Sequence, residues 1–278
     1  MYFFVAAALF LLGASLGSFI NVIALRLLSG ESFLRGRSHC PACGSVLSWR
    51  ELIPVVSFFV LRGRCRSCRA PISFRYLLVE LAMGSYAAFL GASLFSSRLA
   101  LPFPNFAAAF TGGEVFFYLL LYLAIGSLAL ILLLVDFDTK LILTALTRGM
   151  ALAGIILIMA EFFSTPTELL LSPPLLQALL AAGIGLFFAG VWFFTSGRGM
   201  GLGDAELALA LSLFLLYPRA ILMLLAAFWA GALWGIGLMV FAGYDKKSQI
   251  PFGPFIILGF VVALFWGSAL LPYLLPLI

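Results

Sequence analysis

The sequence predicts an all-α, polytopic integral membrane protein of about eight transmembrane helices, with one small four-Cys loop of zinc-ribbon-like type. Three observations predict this. Of the 278 residues, 64% are apolar and 10% charged, with a mean hydropathy of +1.19; a soluble domain has about 45–50% and about 25%. Apolar runs of about the length that crosses a bilayer, 17–25 residues, recur along the whole chain. All four cysteines fall in the one sizeable hydrophilic stretch, 29–75.

The first run, 2–28, has no basic segment before it, so it reads as a retained spanning helix rather than a cleaved signal. The four-Cys stretch follows, then the run 76–96. Between 97 and 114, Pro102, Pro104 and Gly112-Gly113 read as an outer loop. The remaining runs are 115–135, 149–163, 175–195, 205–217, 219–242 and 253–276. Two of them, 149–163 and 205–217, are short and are expected to be tilted or sheltered by neighbours. Pro218-Arg219 alone separates the sixth run from the seventh, so that boundary is the weakest. The chain thus divides into a first helix (1–28), the four-Cys loop (29–75), a second helix with its outer loop (76–114) and a helical core (115–278). No internal repeat of useful length shows.

The net charge of +5 invites a nucleic-acid partner, but the placement of the basic residues argues against one. With the N-terminus outside, Arg26 and the loop arginines Arg35, Arg37, Arg50, Arg62, Arg64, Arg66, Arg69 and Arg75 fall in the cytoplasm. Lys140, Arg148, Arg198, Lys246 and Lys247 join them, and only Arg98 and Arg219 fall outside. This is a positive-inside pattern that holds at every loop. The charge is a topology signal that also suits contact with the lipid bilayer. It places Asp136 and Asp204 on the same, cytoplasmic side.

Cys40-Pro-Ala-Cys43 and Cys65-Arg-Ser-Cys68 are two C-x-x-C knuckles. Four thiolates so arranged suit a tetrahedral, structural Zn²⁺. The 21 residues between knuckles slightly exceed the usual spacing. Gly44 suits the turn after the first knuckle, and Arg69 stands in the same place after the second. Disulfides or a redox pair are the rival reading, disfavoured because cytoplasmic thiols stay reduced. A loop this small also lacks the core to hold itself without a metal.

Asp136 closes the apolar stretch Leu128–Val135, and Asp204 ends Gly199-Met-Gly-Leu-Gly-Asp. A carboxylate at mid-helix costs about 2.5–3.5 kcal/mol on insertion scales, so a chain this apolar keeps two only for use. Asp138 lies about 200° round a helix from Asp136, beside Thr139 and Lys140, and reads as solvated; Asp136 is the candidate. Gly201 and Gly203 permit close approach of another chain, such as an extended substrate. The plainer reading is a flexible interhelical loop ending in a capping Asp. Two carboxylates in contact share one proton. The ionised one can take a proton from an attacking water while the other protonates the developing oxyanion or leaving amine. The one histidine, His39, is far from either acid in sequence, so no serine or cysteine nucleophile has an evident base.

Several motifs, in order, carry a resemblance: Gly17-Ser-Phe-Ile-Asn21-Val, Arg37-Ser-His-Cys-Pro-Ala-Cys-Gly44, Ile53-Pro54-Val55, Leu61-Arg-Gly-Arg-Cys65-Arg-Ser-Cys68 through Tyr76, Val79-Glu80-Leu81, Val135-Asp136-Phe-Asp138, Gly199 to Asp204, and Ile250-Pro-Phe-Gly-Pro-Phe255. Over nearly its whole length the chain resembles the type IV prepilin peptidases (leader peptidase/N-methyltransferases), aspartic proteases of the bacterial inner membrane. The resemblance implies catalysis by Asp136 and Asp204 at the cytoplasmic face, in a peptidase core over 115–278. The substrates it implies are type IV prepilin or pseudopilin precursors, cut after the glycine that ends a short basic leader. It implies S-adenosylmethionine as methyl donor for the new N-terminal residue, with 29–75 associated with methyl transfer.

Two departures stand out. The family usually has Pro followed by Asp or Asn where this chain has Leu143-Thr144, which predicts a straighter helix beyond Asp136. It often has Lys where this chain has Glu206, which predicts a raised pKa in the acid pair. A cleavage-only relative is the alternative; such relatives tend to lack the four-Cys loop. A presenilin-like protease is disfavoured because no Pro-Ala-Leu element occurs near the C-terminus. A transporter using the acids as a relay would place them at mid-bilayer, often in repeated halves.

Overall fold

A computed structural model describes residues 2–30, 32, 36–95, 113–164, 173–197, 200–241 and 251–274. The outer loop at 97–112, the basic residues Arg35, Arg98, Arg198, Lys246 and Lys247, and Gly199 and Ile250 lie outside them. The helices are α1 (Tyr2–Ser29), α2 (Val56–Val60), α3 (Phe74–Phe95), α4 (Glu114–Thr139), α5 (Thr144–Ser164), α6 (Pro173–Thr195), α7 (Leu202–Ser212), α8 (Arg219–Phe241) and α9 (Gly253–Leu274). A 3₁₀ turn occupies Trp49–Leu52. Among the described residues, pairing is limited to two isolated antiparallel bridges, both in the four-Cys loop. Among the described residues, seven helices are long and apolar enough to span a membrane. The exceptions are the short α2 and α7.

The chain forms two compact units. The first comprises Met1–Phe95 with Leu119–Leu134, and the second Ser96–Tyr118 with Val135–Ile278. In lipid the hydrophobic effect does not drive helices together, so close approach of backbones through small residues does. In the first unit α1 and α3 pack antiparallel this way. A Cβ on Gly17 would lie 2.8 Å from the Val79 carbonyl oxygen, and Gly13 meets Ala87 and Gly84 one turn away. Gly126 of α4 sits against Tyr86, whose hydroxyl donates to the Tyr122 carbonyl at 2.8 Å.

In the second unit α8 and α9 run antiparallel. Gly231 of α8 meets Phe252 and Phe255 at the start of α9, Gly259 meets Met223, and Gly267 meets Arg219. From Gly253 to Gly267, α9 rises about 21 Å. The short run read at 205–217 traverses that same depth, from Asp204 near Gly253 to Arg219 near Gly267. It does so with 11 helical residues and a non-helical finish. Pro218 disfavours helix in the residue before it. The Leu213 carbonyl is satisfied instead by the buried Gln177 side chain at 2.6 Å. Such a break within a membrane protein holds only where protein surrounds it, and Leu213, Phe214 and Leu215 are all buried. Arg219, counted above as an outer-loop charge, is itself buried, its Nη1 donating to the Leu264 carbonyl at 3.4 Å.

Replacing Gly17 by Leu forces a branched side chain into the Val79 and Glu80 backbone. We expect a loss of roughly 2–4 kcal/mol, read as a lower Tm in detergent, whereas Gly149→Leu, with nothing within 4 Å of its Cβ position, leaves Tm unchanged.

Candidate active site and metal centre

Asp136 occupies the last turn of α4. The helix ends because Lys140 turns into the left-handed region (φ 57°) and its N–H closes on the Asp136 carbonyl at 2.8 Å. The Thr139 hydroxyl donates to the Val135 carbonyl at 2.8 Å. The expectation of a straighter helix beyond Asp136 is therefore wrong. A left-handed cap breaks the chain where proline is missing, and α5 starts afresh at Thr144. Asp136 is buried and Asp138 exposed, as their half-turn separation requires.

Asp204 sits at the third position of α7. Gly201 caps the helix in extended conformation, and its N–H donates to Asp204 Oδ2 at 3.2 Å. The Gly253 N–H, at the start of α9, also donates to the Asp204 carboxyl group. Both donors belong to helix N-termini, where unpaired N–H groups and the macrodipole favour an anion. Gly253 also faces Asp136: a Cβ there would lie 2.8 Å from Asp136 Oδ2. That oxygen is buried and has no hydrogen-bond partner among the described residues. The two aspartates thus meet at one glycine.

Burial first, and then the neighbouring Asp136 charge, push the Asp204 pKa up to about 6, against the pull of the Gly201 and Gly253 N–H groups. Glu206 has no part in this shift, contrary to the sequence expectation. Its carboxylate is bound by Arg148 Nη2 (2.9 Å) and Nε (3.2 Å), with the Thr147 hydroxyl at 3.2 Å. Arg148 is 69% exposed, so solvent screens the pair and it adds little stability; its effect is to offset the Glu206 charge. Gly203 admits a close neighbour, and that neighbour is Ile142 of the α4–α5 connection, whose Cβ lies 2.9 Å from the space a Gly203 Cβ would take. Ile142 also reaches the Gly253 position, at 3.6 Å. Sequence reasoning assigned no role to Ile142 or Gly253. The only signal was the glycine between prolines and phenylalanines in Pro251-Phe-Gly-Pro-Phe255.

In the first unit the two knuckles repeat one another. Gly44 N–H bonds the Cys40 carbonyl (2.8 Å) as Arg69 N–H bonds that of Cys65 (3.0 Å). Cys40 N–H bonds Ser45, and Cys65 N–H bonds Ala70, each at 2.9 Å. Gly44 and Arg69 both have positive φ, 70° and 60°, a strain that glycine tolerates and arginine does not relieve. All four Sγ atoms lie within 4.8 Å of one another, with Cys40 and Cys68 3.9 Å apart. A tetrahedral zinc with bonds of about 2.3 Å separates its sulfurs by about 3.8 Å, so this donor set fits a metal ion. The N–H groups of Cys68 and Ser67 lower the Cys65 pKa to about 6, while the neighbouring thiols, Cys43 first, push Cys68 up to about 11, so the first thiolate of the cluster forms at Cys65.

The loop is tied to its helices by two side chains that the sequence did not mark for this purpose. Arg26, in the last turn of α1, donates to the carbonyls of Ser32 (2.9 Å) and Arg37 (3.3 Å). Glu80, buried in α3, accepts the Val55 N–H at 2.7 Å. Val55 is the centre of a tight turn (φ 64°, ψ −53°) closed by Val56 N–H on the Pro54 carbonyl at 2.6 Å. A β-branched residue is rare there, so Glu80 holds a strained backbone in place.

Fold and site define a class: a multi-pass helical membrane protein that gathers two aspartates at one glycine and brings four cysteines close enough together to hold a metal ion. Residues 11–94 match the Bacterial Peptidase A24 N-terminal domain, and 123–236 match the Type IV leader peptidase family. The chain belongs to the type IV leader peptidase family. The prepilin leader peptidase/N-methyltransferase of Aeromonas hydrophila is 30% identical over 94% of this chain and 90% of its own length. The protein of that name from Myxococcus xanthus (strain DK1622) is 32% identical, over 86% of this chain and 64% of its own. That from Bacillus subtilis (strain 168) is 28% identical, over 95% and 96%. No solved structure matches the chain.

The raised Asp204 pKa sets the sign of a stability test. A carboxyl group raised in the folded state stabilises fully below its ordinary value of 3.8, and that contribution is lost as pH rises through about 6. Asp204→Asn should therefore raise Tm at about pH 8, by an amount equivalent to about 1–3 kcal/mol, and the gap should close by about pH 4.

Proposed function

We propose that this chain is a membrane aspartic endopeptidase. It removes the short basic leader from type IV prepilin-like precursors at the cytoplasmic face of the bacterial inner membrane. It then methylates the new N-terminal residue with S-adenosylmethionine. The observation that carries the reading is the meeting of Asp136 and Asp204 at Gly253, in a chain of the type IV leader peptidase family. The relatives' names supply the two activities. The loop charges support an N-terminus outside and both acids inside.

Asp136 and Asp204 are the catalytic residues in this reading, and they hold one proton between them. The ionised carboxylate takes a proton from water as its oxygen attacks the scissile carbonyl carbon. The protonated partner gives its proton to the leaving amine, and the C–N bond breaks. A precursor anchored by its own membrane helix brings its cleavage point to the interface. Gly201 and Leu202, exposed beside Asp204, give an extended backbone room to approach. Ile142, packed over Gly203 and Gly253, keeps bulk water from one side of the pair. Cys40, Cys43, Cys65 and Cys68 would hold a structural zinc, which cross-links the loop and takes no part in proton transfer. The residues 29–75 serve methyl transfer in this reading, and 115–278 cleavage.

Co-expression with a prepilin, followed by the mass of the mature N-terminus, tests both activities at once. The native chain should yield a product cut after the leader glycine and carrying one methyl group. Asp136→Ala and Asp204→Ala should insert normally and leave the precursor uncut. Because the working pair carries one proton, kcat/KM should fall as pH rises through about 6; a profile flat across that range contradicts the shared-proton mechanism. Purified protein should contain about one zinc per chain, and Cys40→Ser with Cys65→Ser should abolish it; metal-free protein of unchanged Tm would remove zinc from the account.

A further inference from the structure

The acid pair depends on a residue that is neither acidic nor part of the glycine run before Asp204. Gly253 lies against both carboxyl groups. Its N–H donates to Asp204, and its bare Cα lets Asp136 Oδ2 approach to where a Cβ would be 2.8 Å away. Real Cβ atoms essentially never come that close to an oxygen, so any other residue must push Asp136 away or drag the N–H from Asp204. The glycine is not needed for backbone freedom, because it is the first residue of α9 with no positive φ. It is needed for space.

Gly253 is also firmly held. The preceding Phe252 packs among aromatic rings from two other helices, 5.3 Å from the Phe228 ring centroid and 6.2 Å from that of Phe188. Phe188 and Phe228 stack at 5.8 Å with their planes 11° apart. Gly231 of α8 leaves room for Phe252. The following residue, Pro254, has a fixed φ and no N–H to satisfy, which suits the first turn of a helix. Phe252 and Pro254 together fix the direction of the Gly253 N–H.

We infer that Gly253 is a positioning residue for peptide cleavage, setting the separation of Asp136 and Asp204 through one backbone N–H and one absent methyl group. This rests on the proposed peptidase activity. It places a third structural requirement on the site besides the two acids: a rigid glycine presented by an aromatic anchor.

The test uses the full chain in detergent with a purified prepilin precursor, comparing native protein, Gly253→Ala, Asp136→Ala, Asp204→Ala and the double variant Gly253→Ala/Asp136→Ala. Gly253→Ala should lower kcat by about 100-fold, the loss typical of a misplaced reacting group, with KM within about twofold of native. Its Tm should fall, and Asp136→Ala in the same chain should restore Tm to that of Asp136→Ala alone, because the added methyl then has room. If Gly253→Ala does not accumulate, the double variant should still do so. Cleavage by Gly253→Ala within about threefold of native, with Asp204→Ala inactive, overturns the inference and spares the peptidase reading. A double variant no more stable than Gly253→Ala also overturns it. Native-like cleavage by Asp204→Ala would defeat the peptidase reading itself, and this inference with it.

Discussion

Two carboxyl groups brought together at one backbone glycine, in a membrane protein, are the constraint on which the second unit is built. Buried acids repel each other and lose hydration, so the structure must supply donors and a fixed separation. It does so with helix ends. Asp136 closes α4, Asp204 opens α7 and Gly253 opens α9. The two N-termini present N–H groups that α-helices cannot use internally, and both aim at Asp204. The break after Asp136, the shortness of α7 and the rigidity of the Phe252 anchor all serve this arrangement.

The same small-residue logic holds the helices. Gly13 and Gly17 in the first unit, and Gly231, Gly259 and Gly267 in the second, each bring one backbone onto another helix. Large side chains then point outward, where lipid replaces water as their surroundings. Glycine therefore does two kinds of work in this chain. Along α1, α8 and α9 it gives stability through close packing. At Gly201, Gly203 and Gly253 it shapes a polar site.

Much of the fold was legible because apolar runs and loop charges are strong signals in a membrane chain. Asp136 and Asp204 could be singled out since each interrupts or borders such a run, and the helical angle separated Asp136 from Asp138. The four cysteines declared themselves by spacing, although the doubled hydrogen-bond pattern of the knuckles was invisible, because Gly44 and Arg69 share a backbone conformation and not a residue type. What could not be read was long-range. Gly253 lies 49 positions after Asp204, and nothing in its neighbourhood says which acids it will meet. Ile142 looks like ordinary apolar filler until the chain folds it over Gly203. Glu206 looked like a perturbing charge, because Arg148, its partner, is on another helix. A break between the runs 115–135 and 149–163 was expected, but its means was not: only proline was weighed as a breaker beyond Asp136, while a left-handed cap at Lys140 with a threonine hydroxyl does the same work.

The central claim, that Asp136 and Asp204 meet electrostatically, is tested most directly by titrating Asp204 with and without its partner. Infrared difference spectra of protein carrying ¹³C-labelled aspartate, with the Asp204 band identified by its loss in Asp204→Asn, would follow its ionisation. The account predicts a midpoint near 6 in the native chain and a lower one in Asp136→Asn, still above 3.8 because burial persists. An Asp204 midpoint that does not move when Asp136 loses its charge would contradict it.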